Sequence, residues 1–196
     1  MRNLIFATNN ANKVTEIRSL LPPTFFVKSL KDCGITIDIP EPFDTISANA
    51  LEKARVVYNI VKENCFSEDT GLEVAALNGL PGVRSARYAG DESSDGDNRA
   101  LLLSNMLDLQ NRKAQFRTVI VLIYQKNEYL FEGICVGTIT EKERGQNGFG
   151  YDSLFVPSGA DKTFGEMQLS EKNIYSHRKK AFAKLLAFLN EKDGKS

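Results

Sequence analysis

Four short polar segments, each set beside an apolar run, are spread along this chain. They are Thr8-Asn9-Asn10-Ala11-Asn12-Lys13, Ser67-Glu68-Asp69-Thr70-Gly71-Leu72, Phe149-Gly150-Tyr151-Asp152 and Ser176-His177-Arg178. A polar stretch that interrupts an apolar run marks the end of a buried strand or helix. Segments this far apart in sequence are gathered only by a cleft, and a folding core alone does not require all four. Together they offer a loop for phosphate, an acidic turn for a metal, an aromatic platform for a planar base and a cationic clamp.

The runs between them set the fold class. Leu4–Ala7 reads as a buried strand entering a loop. Val14, Ile17, Leu20 and Leu21 recur at helical spacing until Pro22-Pro23 stops the pattern. Phe25–Leu30 fits a second strand, and Leu51, Ala54, Tyr58 and Val61 mark a long helix from about Ser47 to Glu63. Cys65-Phe66 leads into the acidic turn, and Leu72–Leu77 resumes as strand or helix. Asn78–Asp97, rich in Gly, Ser and Asp, reads mostly as loop. Leu101, Leu102, Asn105, Met106 and Leu109 predict another helix. Phe116–Gln125 and Tyr129–Thr140 form a hairpin about Lys126-Asn127-Glu128, and Leu154-Phe155-Val156 is a short strand. A last helix carries Ala181, Phe182, Leu185, Leu186 and Leu189 on one face. Mixed strands and helices with one hairpin predict an α/β fold with a mixed sheet.

Bulk properties narrow the partners. With 196 residues, 42% of them apolar, the chain buries a real core, as one domain or as two lobes of one. Lys plus Arg and Asp plus Glu are 25 each. A balanced charge argues against a nucleic-acid polymer or an anionic membrane as partner, but not against a small anion held by local charge. No stretch approaches the ~18 apolar residues of a membrane span, and the apolar N-terminal run is too short for a signal peptide. Cys33, Cys65 and Cys135 fit no zinc spacing and read as buried, reduced and structural. A cytoplasmic protein is expected.

The chemistry follows from residue types. A loop between a strand and a helix start is an anion site, because the first turn presents free N–H groups and the positive end of the helix dipole. Thr8, Asn9, Asn10 and Asn12 add side-chain donors and Lys13 a point charge; alone, the segment also reads as an Asn-rich turn with a solvated lysine. There is no G-x-x-x-x-G-K-[ST] segment, so this is not a P-loop. Glu68 and Asp69 are adjacent, and neighbours on a strand face opposite sides, so one of them enters a given site unless a turn re-aims both. Glu41, between Pro40 and Pro42, is a third carboxylate in a stiff loop. Mg²⁺ on a polyphosphate takes one or two carboxylates plus phosphate oxygens and water, so Glu41 and Asp69 suffice if the fold joins them. Ser176 fits an N-cap of the last helix, placing His177, the single histidine, and Arg178 in its first turn. Positive charge is unfavourable there, and Lys172 is close in sequence, so an anion or an electron-rich base edge would rationalise the cluster. Gly148 and Gly150 bracket Phe149 in a loop able to present its ring to a planar ligand, with Asp152 as an acceptor.

In this order the segments resemble the Ham1/inosine triphosphate pyrophosphatase family, purine nucleotide "house-cleaning" enzymes. The resemblance runs from Thr8 to Arg178 and takes in Asn49-Ala50-Leu51-Glu52-Lys53-Ala54 and Leu80-Pro81-Gly82-Val83-Arg84-Ser85-Ala86-Arg87-Tyr88. It implies an elongated mixed sheet with flanking helices, two lobes around a central active-site cleft, residues 1–196 forming a single domain. It also implies a homodimer and Mg²⁺-dependent hydrolysis of ITP, dITP and XTP to monophosphate and pyrophosphate. By the resemblance, Thr8, Asn9, Asn10, Ala11, Asn12 and Lys13 hold the triphosphate, with Lys53 assisting. Glu41 and Asp69 are the metal ligands, Asp69 and Lys13 are the catalytic residues, with Asp69 activating water, and Thr70 contacts substrate. Phe149, Gly150 and Tyr151 form the base loop, Asp152 lies near the base, and Lys172, His177 and Arg178 read its 6-oxo edge. Ala48 stands where the family often has Glu, Glu41-Pro42-Phe43 where Glu-Thr-Gly is common, and Glu68 where many relatives have Asp. A Maf-type pyrophosphatase and a non-catalytic nucleotide sensor are the rival readings.

Overall fold

The first apolar run becomes β1 (Arg2–Phe6). Leu4, Ile5, Phe6 and Ala7 are all buried, as a run without polar alternation requires of a parallel strand covered on both faces. The computed structural model describes residues 2–193. After β1 the chain forms α1 (Ala11–Ser19) and returns as β2 (Phe25–Ser29), parallel to β1. α2 (Ile46–Val61), capped by Thr45 and closed by left-handed Lys62, falls within two residues of its expected span.

β3 (Cys65–Val74) corrects the expected acidic turn, because Ser67–Leu72 lies inside a ten-residue strand. Residues 65–69 are all buried, and their polar side chains find partners on the helices to either side, so no turn is needed to expose them. β3 pairs parallel with β1 and antiparallel with β4 (Pro81–Gly82). The Asn78–Asp97 stretch is less of a loop than its composition implied. It holds β4, a 3₁₀ turn at Ser85–Arg87 and the start of α3 (Asp95–Asn105). Ser94 and Asp97 cap α3 reciprocally, and Leu109 lies beyond its end.

β5 (Lys113–Tyr124) and β6 (Asn127–Ile139) form the hairpin. Its turn is Gln125-Lys126, earlier than expected, with φ of 50° and 66°, the left-handed pair of a type I′ turn. Asn127 is already the first residue of β6, and its side-chain amide donates to the Gln125 carbonyl at 3.0 Å. β7 (Phe155–Pro157) pairs antiparallel with β6. α4 (Leu169–Tyr175) has no counterpart in the sequence reading, and α5 (His177–Asp193) closes the described chain. The mixed sheet has the order β2-β1-β3-β5-β6-β7, with β4 on β3.

The chain divides into two compact units. Unit 1 runs from the N-terminus to Asp69, with Thr118–Gly133 and the chain from Arg178 onward; unit 2 is Thr70–Arg117 and Ile134–His177. The core of unit 1 joins Leu4, Phe6, Ile17, Val27, Phe66, Ile120 and the expected face of α5. Phe6 stacks on Phe66 with centroids 4.5 Å apart. The core of unit 2 joins Leu72, Leu102, Met106, Phe116, Ile139, Phe155 and Phe164. Cys65 and Cys135 are buried, whereas Cys33 is half-exposed, against expectation; all three are free thiols. Among the described residues, no helix is long and apolar enough to cross a membrane.

Candidate active site

The period of two along β3 sorts the polar residues of unit 1. Cys65 and Ser67 bond the α2 carbonyls of Ala54 and Ala50, and Asp69 accepts from Lys53 Nζ at 2.9 Å. The alternate residues turn the other way. Phe66 enters the core against Phe182 of α5, and Glu68 meets Arg178 at the start of α5. Adjacent Glu68 and Asp69 therefore enter two different charge groups.

The Asp69 group is assembled by α2. Asn49, fully buried, accepts from the Phe43 N–H and donates to the Phe43 carbonyl, both at 2.9 Å. One turn on, the Lys53 ammonium bonds Glu41 as well as Asp69. The side chains at i and i+4 of one helix thus hold the 41–43 loop by its backbone and by its carboxylate. Burial pulls the Lys53 ammonium down, but Asp69 and Glu41 outweigh it and hold its pKa above the ordinary value. Burial pushes the Asp69 carboxyl up; Lys53 and Lys13 pull it back and Glu41 adds to the rise, leaving it above the usual carboxylate range. Two carboxylates against one ammonium leave one negative charge in excess. Hard oxygen donors with surplus negative charge suit a divalent cation such as Mg²⁺. Among the described residues no group of three or more His, Cys, Asp or Glu side chains is placed to hold a metal ion. Ala48 occupies the first turn of α2, where its N–H donates to Thr45 Oγ1.

The Asn-rich loop leads into the start of α1. Asn10 caps α1 by accepting from the Lys13 N–H at 3.1 Å, Thr8 Oγ1 accepts from the Asn10 N–H at 3.1 Å, and the Asn9 amide reaches the Ile37 carbonyl at 2.9 Å. Thr8, Asn9 and Asn10 are therefore spent on the loop's shape as much as on any ligand. Lys13 Nζ lies 3.4 Å from Glu68 Oε1.

Arg178 belongs to this unit and is almost wholly buried. Glu68 grips it from two sides, Nε to Oε2 at 2.6 Å and Nη2 to Oε1 at 2.7 Å, and Glu16 of α1 bonds Nη1. Burial works against the guanidinium, but Glu68 and Glu16 hold its pKa above its already high value. This accounts for a cation in the first turn of α5: two carboxylates outweigh the helix dipole. Sequence reasoning missed Glu16. The signal was its place with Lys13, Ile17 and Leu20 at positions i, i+3, i+4 and i+7 of one helical face, where a carboxylate is buried only if paired.

Unit 2 holds the Phe149–Asp152 segment. Gly148, Phe149 and Asp152 form a tight turn in which the Phe149 N–H donates to Asp152 Oδ2 at 3.0 Å. Gly148 has φ +76°, and a Cβ there would stand 2.0 Å from Asp152 Oδ2, so only glycine fits. Asp152 also accepts from Lys172 Nζ at 2.5 Å. That ammonium lies 5.3 Å from the Phe149 ring centroid and 5.2 Å from that of Phe164, within cation–π range of both. His177 is buried, stacked on Phe116 at 4.7 Å and 15°, with Phe164 tilted beside it at 6.4 Å. Tyr151 is buried, its hydroxyl donating to the Ser85 carbonyl at 2.9 Å. Ser176 separates α4 from α5, its N–H closing α4 on the Lys172 carbonyl. Thr70 opens the unit 2 part of β3. Sequence reasoning had no route to Phe116 or Phe164, since contacts from β5 and a 3₁₀ turn to α5 are long-range.

Unit 1 thus joins Lys13, Glu41, Lys53, Asp69 and Arg178, and unit 2 joins Phe149, Asp152, Lys172 and His177. The family model described as Ham1 family matches residues 4–188 of this chain. The chain belongs to the Ham1 family. It is 49% identical over 186 residues to a family protein from Flavobacterium johnsoniae named dITP/XTP pyrophosphatase, spanning 95% of this chain and 97% of that one. A protein of the same name from Caldanaerobacter subterraneus is 44% identical, with 96% of each chain covered. The solved Ham1 proteins of Staphylococcus aureus and Coxiella burnetii match at TM-scores of 0.87 and 0.88, with 33% and 32% identity. Each comparison covers 97% of this chain and 100% of the other.

Proposed function

We propose that this protein is a nucleoside triphosphate pyrophosphohydrolase that cleaves ITP, dITP and XTP to the monophosphate and pyrophosphate, clearing non-standard purines from the nucleotide pool. The observation that carries the reading is the convergence of Glu41 and Asp69 on the one ammonium of Lys53. It occurs in a chain nearly half identical to relatives named for this activity.

Glu41 and Asp69 would hold Mg²⁺, which would supply positive charge against the phosphate oxygens and the departing pyrophosphate. The free N–H groups at the start of α1 and the Lys13 ammonium bind the phosphates, and Lys53 exchanges a carboxylate for a phosphate oxygen. Asp69, its pKa raised by burial, takes a proton from the water that attacks the α-phosphorus. The bond from that phosphorus to the bridging oxygen breaks, and pyrophosphate carries off the electron pair. Arg178, neutralised by Glu16 and Glu68, keeps α1, β3 and α5 in register beneath the phosphate loop.

In unit 2, Phe149 stacks on the purine and Asp152 aims the Lys172 ammonium along the ring edge. An ammonium donates and cannot accept, so it suits the 6-oxo group of inosine or xanthosine. The 6-amino group of adenine offers no acceptor to the N–H aimed at it, at a cost of about 1–3 kcal/mol. His177 supports this edge through its stack on Phe116. The free thiols suit a reducing cytoplasm, and the enzyme acts as a homodimer, testable by its mass in solution.

The direct test is release of pyrophosphate and orthophosphate from ITP, XTP, GTP and ATP, with Mg²⁺ and then with EDTA. Pyrophosphate from ITP and XTP, lost with EDTA and scarce with ATP or GTP, is expected. Orthophosphate as the first product places the cleavage at another bond. Tight ITP binding without turnover makes the protein a sensor.

A further inference from the structure

The loop that presents Phe149 is held by α3, a helix with no residue among those assigned to substrate. The Gly150 N–H donates to Asp95 Oδ2 at 2.7 Å, and the Gly150 carbonyl accepts from Arg99 Nη1 at 2.9 Å. Asp95 and Arg99 stand one turn apart on the same face of α3, so one helix face grips Gly150 by both its N–H and its C=O. The grip extends further. Arg99 Nε lies 2.8 Å from Glu143 Oε2, and that oxygen also accepts from Ser153 Oγ at 2.9 Å. Gly150 has φ +59°, yet nothing lies within 4 Å of where a Cβ would stand. Packing does not shape this residue; the hydrogen bonds from α3 do. α3 is itself well seated, with buried Asn98 bonding the Ala89 N–H at 2.8 Å and the Ala86 carbonyl at 3.1 Å.

We propose that Asp95 and Arg99 are positioning residues for purine recognition, fixing the Gly150 peptide and through it the plane in which the Phe149 ring meets the base. The proposal rests on the reading of Phe149 as the base platform. The bonds from Asp95 and Arg99 to Gly150 lie within unit 2, so the loss of either side chain should weaken capture of the base and spare the phosphate machinery. A tie that merely stabilised unit 2 would make no such distinction.

The test is steady-state hydrolysis of ITP together with competitive inhibition by inorganic tripolyphosphate, a ligand with phosphates and no base. Arg99→Met and Asp95→Ala each raise the KM for ITP about tenfold, with kcat falling less than about threefold and the tripolyphosphate Ki holding within about twofold. Asp95→Asn keeps an acceptor for the Gly150 N–H and restores the KM. An unchanged KM in both variants, or a rise matched by the same rise in the tripolyphosphate Ki, overturns the proposal. Phe149→Ala separates the two layers of the argument. If it leaves the KM for ITP unchanged, the platform reading falls and takes the proposal with it. If it raises the KM while the α3 variants do not, the grip of α3 alone is refuted.

Discussion

The charge groups of unit 1 and the Phe149 loop of unit 2 are both polar, but they are held by different physics. In unit 1, Glu16, Glu41, Glu68 and Asp69 are set against Lys13, Lys53 and Arg178, and ion pairs fix every position. Most of these charges are buried, where a lost partner leaves an uncompensated ion. In unit 2 the loop is held by hydrogen bonds to its own backbone, by glycine where no side chain fits, and by rings around one ammonium. Apart from the buried Asp152–Lys172 pair, removing one piece there alters a shape and leaves no large charge stranded. Unit 1 is thus organised by charge set against charge, whereas the Phe149 loop of unit 2 is more a matter of planes and edges.

The sharpest way to break this contrast is Asp69→Asn. Loss of a positioned base lowers kcat by about 10²–10⁴-fold, with far-UV circular dichroism and Tm close to the parent. Near-normal turnover removes Asp69 from the mechanism.

Arg178→Leu tests the cost of stranding charge. With Glu16 and Glu68 left buried and facing each other, stability falls by about 3–5 kcal/mol in urea denaturation at pH 7. A loss below about 1 kcal/mol, the range of exposed pairs, means that the group is wetter than its burial indicates. Gly148→Ala is the unit 2 counterpart. A Cβ 2.0 Å from Asp152 Oδ2 at φ +76° displaces the loop at a cost of about 1–3 kcal/mol, and the KM for ITP rises; an unchanged KM detaches the loop from base binding.

Much of the fold was legible because apolar runs and their punctuation are local. β1, β2, α2 and α5 lie close to where periodicity put them. α4 was not legible: it has seven residues, and the one buried side chain is Lys172, so its sequence carries no apolar face. β3 was misread as a turn because Ser-Glu-Asp-Thr-Gly is polar, and what keeps it inside a strand comes from Lys53 and Arg178, 16 and 110 residues away. The same limit applies to the site. The segments themselves stood out, but Glu16, Phe116, Asp95 and Arg99 take their meaning from pairings that only the fold creates. His177 and Arg178, neighbours in one motif, serve different units, one in an aromatic stack and the other in an ion-pair group.

The smallest effect lies outside both sites and calibrates the contrast. The Ser29 backbone N–H and then the Ser29 hydroxyl bond the Asp32 carboxylate, with Arg18 adding to them, and its pKa is lowered from 3.8 to about 2. A depressed carboxyl stabilises the fold above its unfolded value, and that contribution fades as pH falls through about 2. Asp32→Asn should therefore lower the urea midpoint near pH 5 and match the parent near pH 2. A difference that widens toward low pH contradicts the assignment.

The central claim is that unit 1 carries the chemistry and unit 2 the choice of base. It is tested most directly by the ratio of kcat/KM for ITP to that for ATP, measured side by side in the parent, Asp69→Asn and Lys172→Met. The account predicts that Asp69→Asn lowers both rates and leaves the ratio within about threefold, while Lys172→Met cuts the ratio by about tenfold. A ratio that collapses with Asp69→Asn, or survives Lys172→Met, contradicts it.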